Sequence, residues 1–121
     1  MEYADGSHPS GRYHEKSHGE SFLAVAQEQL RSDGVYIFDE PEAALSPQRQ
    51  LTLLTEIYEC AEKDSQFIIV THSPILLGIP DAEILTFDDG VLHPCEYEET
   101  DSYKITELFI NHKKELLNRL L

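Results

Sequence analysis

The sequence predicts an α/β fold, a parallel sheet with flanking helices, and three observations carry that prediction. Residues 35–38 (VYIF) and 67–70 (FIIV) are uninterrupted apolar runs of strand length, the first directly after Gly34. Between them Leu51, Leu54, Ile57, Tyr58 and Ala61 recur at helical spacing. Strand, helix, strand in this order is a βαβ unit, so the two strands are expected to run parallel with a right-handed crossover. Continuous apolar runs of this kind further predict strands buried on both faces.

The elements follow in order along the chain. Residues 1–16 are rich in Gly, Ser, His and charge and read as loop; residues 17–121 read as the folded domain. Ser17 and Glu20 have the spacing of a capping box, and Phe22, Leu23, Val25, Ala26 and Leu30 then mark a helix that Ser32-Asp33-Gly34 ends. Ser46 is an N-cap with Pro47 at the first helical position, opening the second helix, which runs to about Lys63. Ser73-Pro74 starts a short helical turn. Residues 84–87 and 91–93 flank Asp88-Asp89-Gly90 as a hairpin. Residues 96–101 read as an acidic loop. A helix or helix pair from about 103 to 121 carries Leu108, Phe109, Leu116, Leu117 and Leu120 on its apolar side.

Composition excludes several classes of function. The chain has 121 residues, and 9 Lys plus Arg stand against 23 Asp plus Glu, a net charge of −14. Such a surface repels phosphate backbones and anionic headgroups, so direct nucleic-acid binding by this chain is not expected. Cys60 and Cys95 are far apart and form no metal-binding pair; they read as reduced thiols of a cytoplasmic protein. No apolar run approaches the roughly 20 residues of a membrane span, and the first residues lack the apolar core of a secretion leader.

Three short segments carry candidate chemistry. Asp39-Glu40 follows the first strand directly, and ligands of an open parallel sheet sit at the carboxyl ends of its strands. Two carboxylates there can divide the labour of nucleotide hydrolysis, one holding Mg²⁺ and the other acting on the attacking water. Alternatively, they are a solvated acidic strand end. His72, in Thr71-His72-Ser73, follows the second strand and so belongs on the same sheet edge as Glu40, where an imidazole can bond a phosphate or the attacking water. A lone strand-end histidine also has a purely structural reading. Ser17-His18-Gly19-Glu20-Ser21 lies at a helix N-terminus, where free amides and the helix dipole favour anions. An ordinary capping box explains the same residues.

Taken together, the segments resemble the ABC-type, AAA-like P-loop ATPases, C-terminal half only. Residues 17–21 (SHGES) are similar to the signature loop, with His18 for Gly and Glu20 for Gln; residues 35–41 (VYIFDEP) resemble the extended Walker B. Residues 43–46 (AALS) resemble the D-loop, with Ser46 for Asp, and residues 70–73 (VTHS) the switch-histidine loop. The likeness spans roughly residues 14–93, and the soluble ATPases related to chromosome maintenance and repair are the nearest kind. It implies a partial P-loop NTPase fold and ATP with Mg²⁺ as ligands. Asp39 would hold Mg²⁺ through water, Glu40 would be the general base, and His72 would sense the γ-phosphate. Ser17, His18, Gly19 and Glu20 would meet the nucleotide of an opposing subunit, with Ser46 at the dimer seam. The partner is expected to be a second copy or a polypeptide bearing the Walker A loop.

A Walker A loop is not recognisable. Gly6 and Gly11 have its glycine spacing, but Arg12-Tyr13 stand where Lys and Ser or Thr are needed, and no apolar strand precedes them. The expectation is therefore a truncated, split or degenerate ATPase, inactive alone. Two rival readings remain: a non-catalytic interaction module, and a zinc hydrolase. The second rests on His14-Glu15-Lys16-Ser17-His18, which fits H-E-x-x-H, with Glu42 as an imagined third ligand. Gly19 and the loop-like residues before His14 disfavour the helix that motif requires.

Overall fold

The computed structural model describes residues 18–87 and 90–121. It divides into two compact units, one ending at Ile79 and the other running Pro80–Leu121. The first contains helix α1 (His18–Gln29), strand β1 (Val35–Asp39), a 3₁₀ turn (Pro41–Ala44), helix α2 (Pro47–Ala61), strand β2 (Gln66–Val70) and a 3₁₀ turn (Leu76–Gly78). β1 and β2 pair in parallel, from Val35 opposite Gln66 to Asp39 opposite Val70, as the βαβ reading predicts.

The core of this unit comes from every one of its layers. Ala26 of α1, Phe38 of β1, Leu45 before α2, Leu53 and Ile57 within α2, and Leu76 are buried together, with Phe67 and Ile69 of β2 packed against them. The Phe38 ring meets Phe22 edge-on at 6.1 Å and Phe67 at 5.9 Å, tying α1 and both strands into one aromatic cluster. Such pairs add roughly 0.5–1.5 kcal/mol beyond area burial. The turn into β1 is fixed by polar bonds: the Tyr36 hydroxyl accepts from the Arg31 amide at 2.8 Å, and the Ser65 hydroxyl accepts from the Gly34 amide at 3.0 Å. A Cβ at Gly34 would lie 2.5 Å from the Tyr36 oxygen, so a larger residue there would displace the Tyr36 ring end and its hydrogen bonds.

Two expectations need correction here. The strands are not buried on both faces. Tyr36, Phe38, Phe67 and Ile69 turn to the core, whereas Val35 (70% exposed), Ile37 (62%), Ile68 (51%) and Val70 (52%) form an open apolar face. A strand's side chains alternate between faces, and only one face of this two-stranded sheet is packed. The buried face of α2 is also rotated. Leu53 and Ile57 are fully buried and Leu51 points outward, because Gln50 and Leu53, three residues apart, share the inward stripe. The helix ends at Ala61, two residues before the predicted limit.

In the second unit, β3 (Ile84–Thr86) pairs antiparallel with β4 (His93–Cys95), followed by a 3₁₀ turn (Tyr97–Glu99), α3 (Asp101–Asn111) and α4 (Lys113–Leu120). The predicted hairpin exists, but its second strand is displaced by two residues, leaving Val91 and Leu92 in the connection. A two-residue shift preserves side-chain alternation, so the apolar pattern does not set this register. The acidic loop is partly ordered: Glu96 and Glu99 form a reciprocal capping box, and the Thr100 hydroxyl accepts from the Tyr103 amide at 3.1 Å, starting α3 at Asp101. The C-terminal segment is a helix pair broken at His112. Its predicted apolar side is not buried: Leu116 and Leu117 are half-buried, and Leu108, Phe109 and Leu120 are exposed. Among the described residues no helix is long and apolar enough to cross a membrane.

Candidate functional site at the carboxyl edge of the parallel sheet

The site is built where β1 and β2 end side by side. Asp39 is the last residue of β1 and sits opposite Val70, the last of β2. The Glu40 amide extends the ladder by one bond, donating to the Val70 carbonyl at 2.7 Å. Glu40 then turns sharply, with φ 51° and ψ 54°. Two steric rules disfavour that conformation. A side chain at positive φ crowds the backbone, and a residue before proline avoids helical values of ψ. The turn is held by burial of Pro41 and by the Ala43 amide, which donates to the Glu40 carbonyl at 3.1 Å. The Asp39 and Glu40 carboxylates are exposed and make no hydrogen bond among the described residues.

Glu42 returns to the end of β2. Its Oε1 accepts from the Thr71 hydroxyl at 2.6 Å and its Oε2 from the His72 amide at 2.9 Å. The Ser73 amide donates to Thr71 Oγ1 at 3.0 Å, which leaves the Thr71 proton to point at Glu42. Partial desolvation raises the Glu42 pKa, but the bonds from Thr71 and His72 and the nearby His72 ring outweigh it, and the carboxyl lies below its ordinary value. A second bridge lies deeper. Buried Ser73 donates to Gln50 Oε1, while Gln50 Nε2 donates to the Leu45 carbonyl at 3.2 Å. The Ser73 hydroxyl also accepts from the Ile75 and Leu76 amides, capping the turn predicted at Ser73-Pro74. Two polar bridges therefore join the 41–46 segment to the 71–76 segment.

The structure thus brings Asp39, Glu40 and the His72 backbone to one sheet edge, as their strand-end positions imply. Ser46 is the N-cap of α2, its hydroxyl accepting from the Arg49 amide at 3.2 Å. His18, Gly19 and Glu20 form the first turn of α1. Ser17, the capping box expected of it, His14, Glu15 and the Gly6–Gly11 spacing lie outside the described residues. Among the described residues no cluster of three or more His, Cys, Asp or Glu is placed to hold a metal ion. Glu42, the imagined third zinc ligand, has both oxygens engaged with Thr71 and His72. Sequence reasoning missed Glu42 and Gln50 as parts of this edge. Thr71-His72-Ser73 carries donors that need acceptors where it leaves β2, but Asp39 and Glu40 stand nearer the end of β1 than Glu42, so nothing in the sequence singles Glu42 out.

With this geometry in place, one comparison bears on it: residues 20–78 match the family model described as "AAA domain, putative AbiEii toxin, Type IV TA system". Residues 20–78 are similar to an AAA domain. The match supports an AAA-like P-loop ATPase relationship and a nucleotide-binding, ATPase-like role for this stretch. It runs from α1 through the turn after β2, and so contains Asp39, Glu40, Glu42, Ser46 and His72. No curated protein matches the chain.

Proposed function

We propose that this AAA-like stretch supplies the distal half of an ABC-type ATP-hydrolysing site, completed by a polypeptide bearing the phosphate-binding loop. The observation that carries the reading is Glu40. Among the described residues Asp33, Glu40, Asp64 and Asp81 have positive φ, and of these Glu40 follows a strand of the parallel sheet at its carboxyl edge, where ligands of such sheets sit. Disfavoured backbone conformations cluster at functional sites. In this reading Asp39 would hold Mg²⁺ through water; its exposed carboxylate, without a hydrogen bond among the described residues, fits a hard cation that keeps most of its waters. Mg²⁺ would neutralise charge developing on the transferred phosphoryl group. Glu40 accepts a proton from the attacking water, and His72 donates a hydrogen bond to the γ-phosphate. His18, Gly19 and Glu20 face the nucleotide of an opposing subunit, and Ser46 lies at that seam.

The open apolar face favours a second reading, a non-catalytic interaction module. The two readings share a partner surface and differ in turnover. The test is calorimetric titration of the chain with Mg²⁺-ATP and a phosphate-release assay, with and without a partner that carries a Walker A loop. The chain alone is expected neither to bind ATP tightly nor to hydrolyse it, because most of the grip on the phosphates comes from the Walker A amides and lysine. With the partner, Glu40→Gln is expected to spare ATP binding and lower turnover by about 10²-fold or more, as for loss of a general base. Normal turnover in that variant would remove Glu40 from this role; no turnover in the unmutated assembly would leave the interaction module.

A further inference from the structure

The geometry points to Glu42 as a positioning residue: its carboxylate clamps Thr71 and the His72 backbone, and thereby holds the switch histidine beside Asp39 and Glu40. The clamp has three directed parts. Each carboxylate oxygen receives one donor, the Thr71 hydroxyl at 2.6 Å and the His72 amide at 2.9 Å. The Thr71 hydroxyl cannot rotate away without breaking a bond, because the Ser73 amide occupies its acceptor side at 3.0 Å. Both donors therefore demand an acceptor, and only an ionised carboxyl offers two with this separation. An amide at the same place would present an N–H₂ group to one of the two donors.

The clamp also spans the strained turn. Glu42 lies two residues after Glu40, whose amide is bonded to Val70, so the 40–42 segment is pinned to the β2 end at both its termini. His72 has no other described bond from its backbone amide, and its side chain is exposed. What fixes its position relative to Glu40 is therefore the Glu42 carboxylate, with Gln50 and Ser73 securing the turn that follows. The inference rests on the hydrolase reading for what His72 does, and on the hydrogen bonds alone for how it is held.

The experiment uses the full chain and three variants, Glu42→Gln, Thr71→Val and Thr71→Ser. Amide hydrogen exchange is followed by nuclear magnetic resonance without nucleotide, and Mg²⁺-ATP turnover is measured in the assembly that supplies the phosphate-binding loop. Glu42→Gln and Thr71→Val are expected to speed exchange of the His72 amide on the order of tenfold, with Ile69 in β2 unchanged. Thr71→Ser keeps the hydroxyl and is expected to restore the slow rate. In the assembly, the first two variants lower kcat with little change in KM for ATP, and Thr71→Ser recovers kcat. Unaltered His72 exchange in Glu42→Gln, or equal acceleration at Ile69, would overturn the clamp. A protected His72 amide in an assembly that shows no turnover would overturn the positioning role by removing the reaction. The hydrolase reading then fails separately from the clamp.

Discussion

Replacing Glu40 by Gly and by Ala separates strain from chemistry at the candidate site. Both variants lose the carboxylate, so both are expected to lack the base. They differ only in how they bear φ 51° and ψ 54°. An L-residue in the left-handed region costs roughly 1–2 kcal/mol relative to Gly, and Ala keeps the Cβ that causes this cost. Against it, Gly loses more backbone freedom on folding, about 0.5–1 kcal/mol relative to Ala. The Glu40 side chain is exposed and makes no hydrogen bond among the described residues, so truncation removes little else. Glu40→Gly is therefore expected to be more stable than Glu40→Ala by about 0.5–1 kcal/mol, the reverse of the order at ordinary positions. For a domain of this size that is a few degrees in melting temperature. Urea unfolding followed by circular dichroism measures it. If Ala equals or exceeds Gly, the left-handed turn at Glu40 is wrong, and with it the claim that a strained backbone presents this carboxylate.

The open sheet face and Glu42 give two further expectations. Val35, Ile37, Ile68 and Val70 are each half or more exposed, so covering them would gain on the order of 1 kcal/mol apiece. The isolated chain is expected to self-associate with rising concentration, and Ile37→Thr with Ile68→Thr to suppress this without loss of secondary structure; sedimentation velocity that shows a monomer before substitution would refute it. Because the folded Glu42 carboxyl lies below its ordinary value of 4.5, its stabilisation is present above that pH and lost as the pH falls through the folded value. Urea midpoints in acid should therefore fall less steeply for Glu42→Gln than for the unmutated chain.

Much of the first unit was legible because one signal sufficed for each element. The apolar runs at 35–38 and 67–70 named two strands, their separation made them parallel, and Ser46-Pro47 marked the start of α2. What periodicity could not supply was phase. Leu51, Leu53 and Leu54 are three apolar residues within four, and choosing among them requires knowing that Gln50 turns inward to meet Ser73. The same limit explains the hairpin, where a two-residue slip costs the pattern nothing. The continuous apolar strands gave the right elements and the wrong burial, because a run of Val and Ile records what a strand is suited to pack against rather than what is packed there. At the site, strand ends located Asp39, Glu40 and His72. Glu42 was invisible because its role is a pair of bonds across 29 and 30 residues of sequence.

The placement of strain and of polar bonds at this edge has a common cause. A strand that ends in two acidic residues would ordinarily let them fan into solvent, where side-chain entropy opposes any fixed geometry. Here the chain is reversed at once by Glu40, and the reversal is held by a main-chain bond to Val70, a buried Pro41 and a carboxylate that captures the next loop. The left-handed turn alone would relax, since roughly 1–2 kcal/mol opposes it. The bonds at Glu42 alone would hold a loop with no consequence for Asp39. Together they fix the backbone that carries Asp39, Glu40 and His72 at one sheet edge. A hydrolytic site needs that property before any nucleotide arrives, because groups already in place need no reorganisation when charge develops. The energetics of the fold and the proposed chemistry therefore depend on the same four residues, Glu40, Pro41, Glu42 and Thr71.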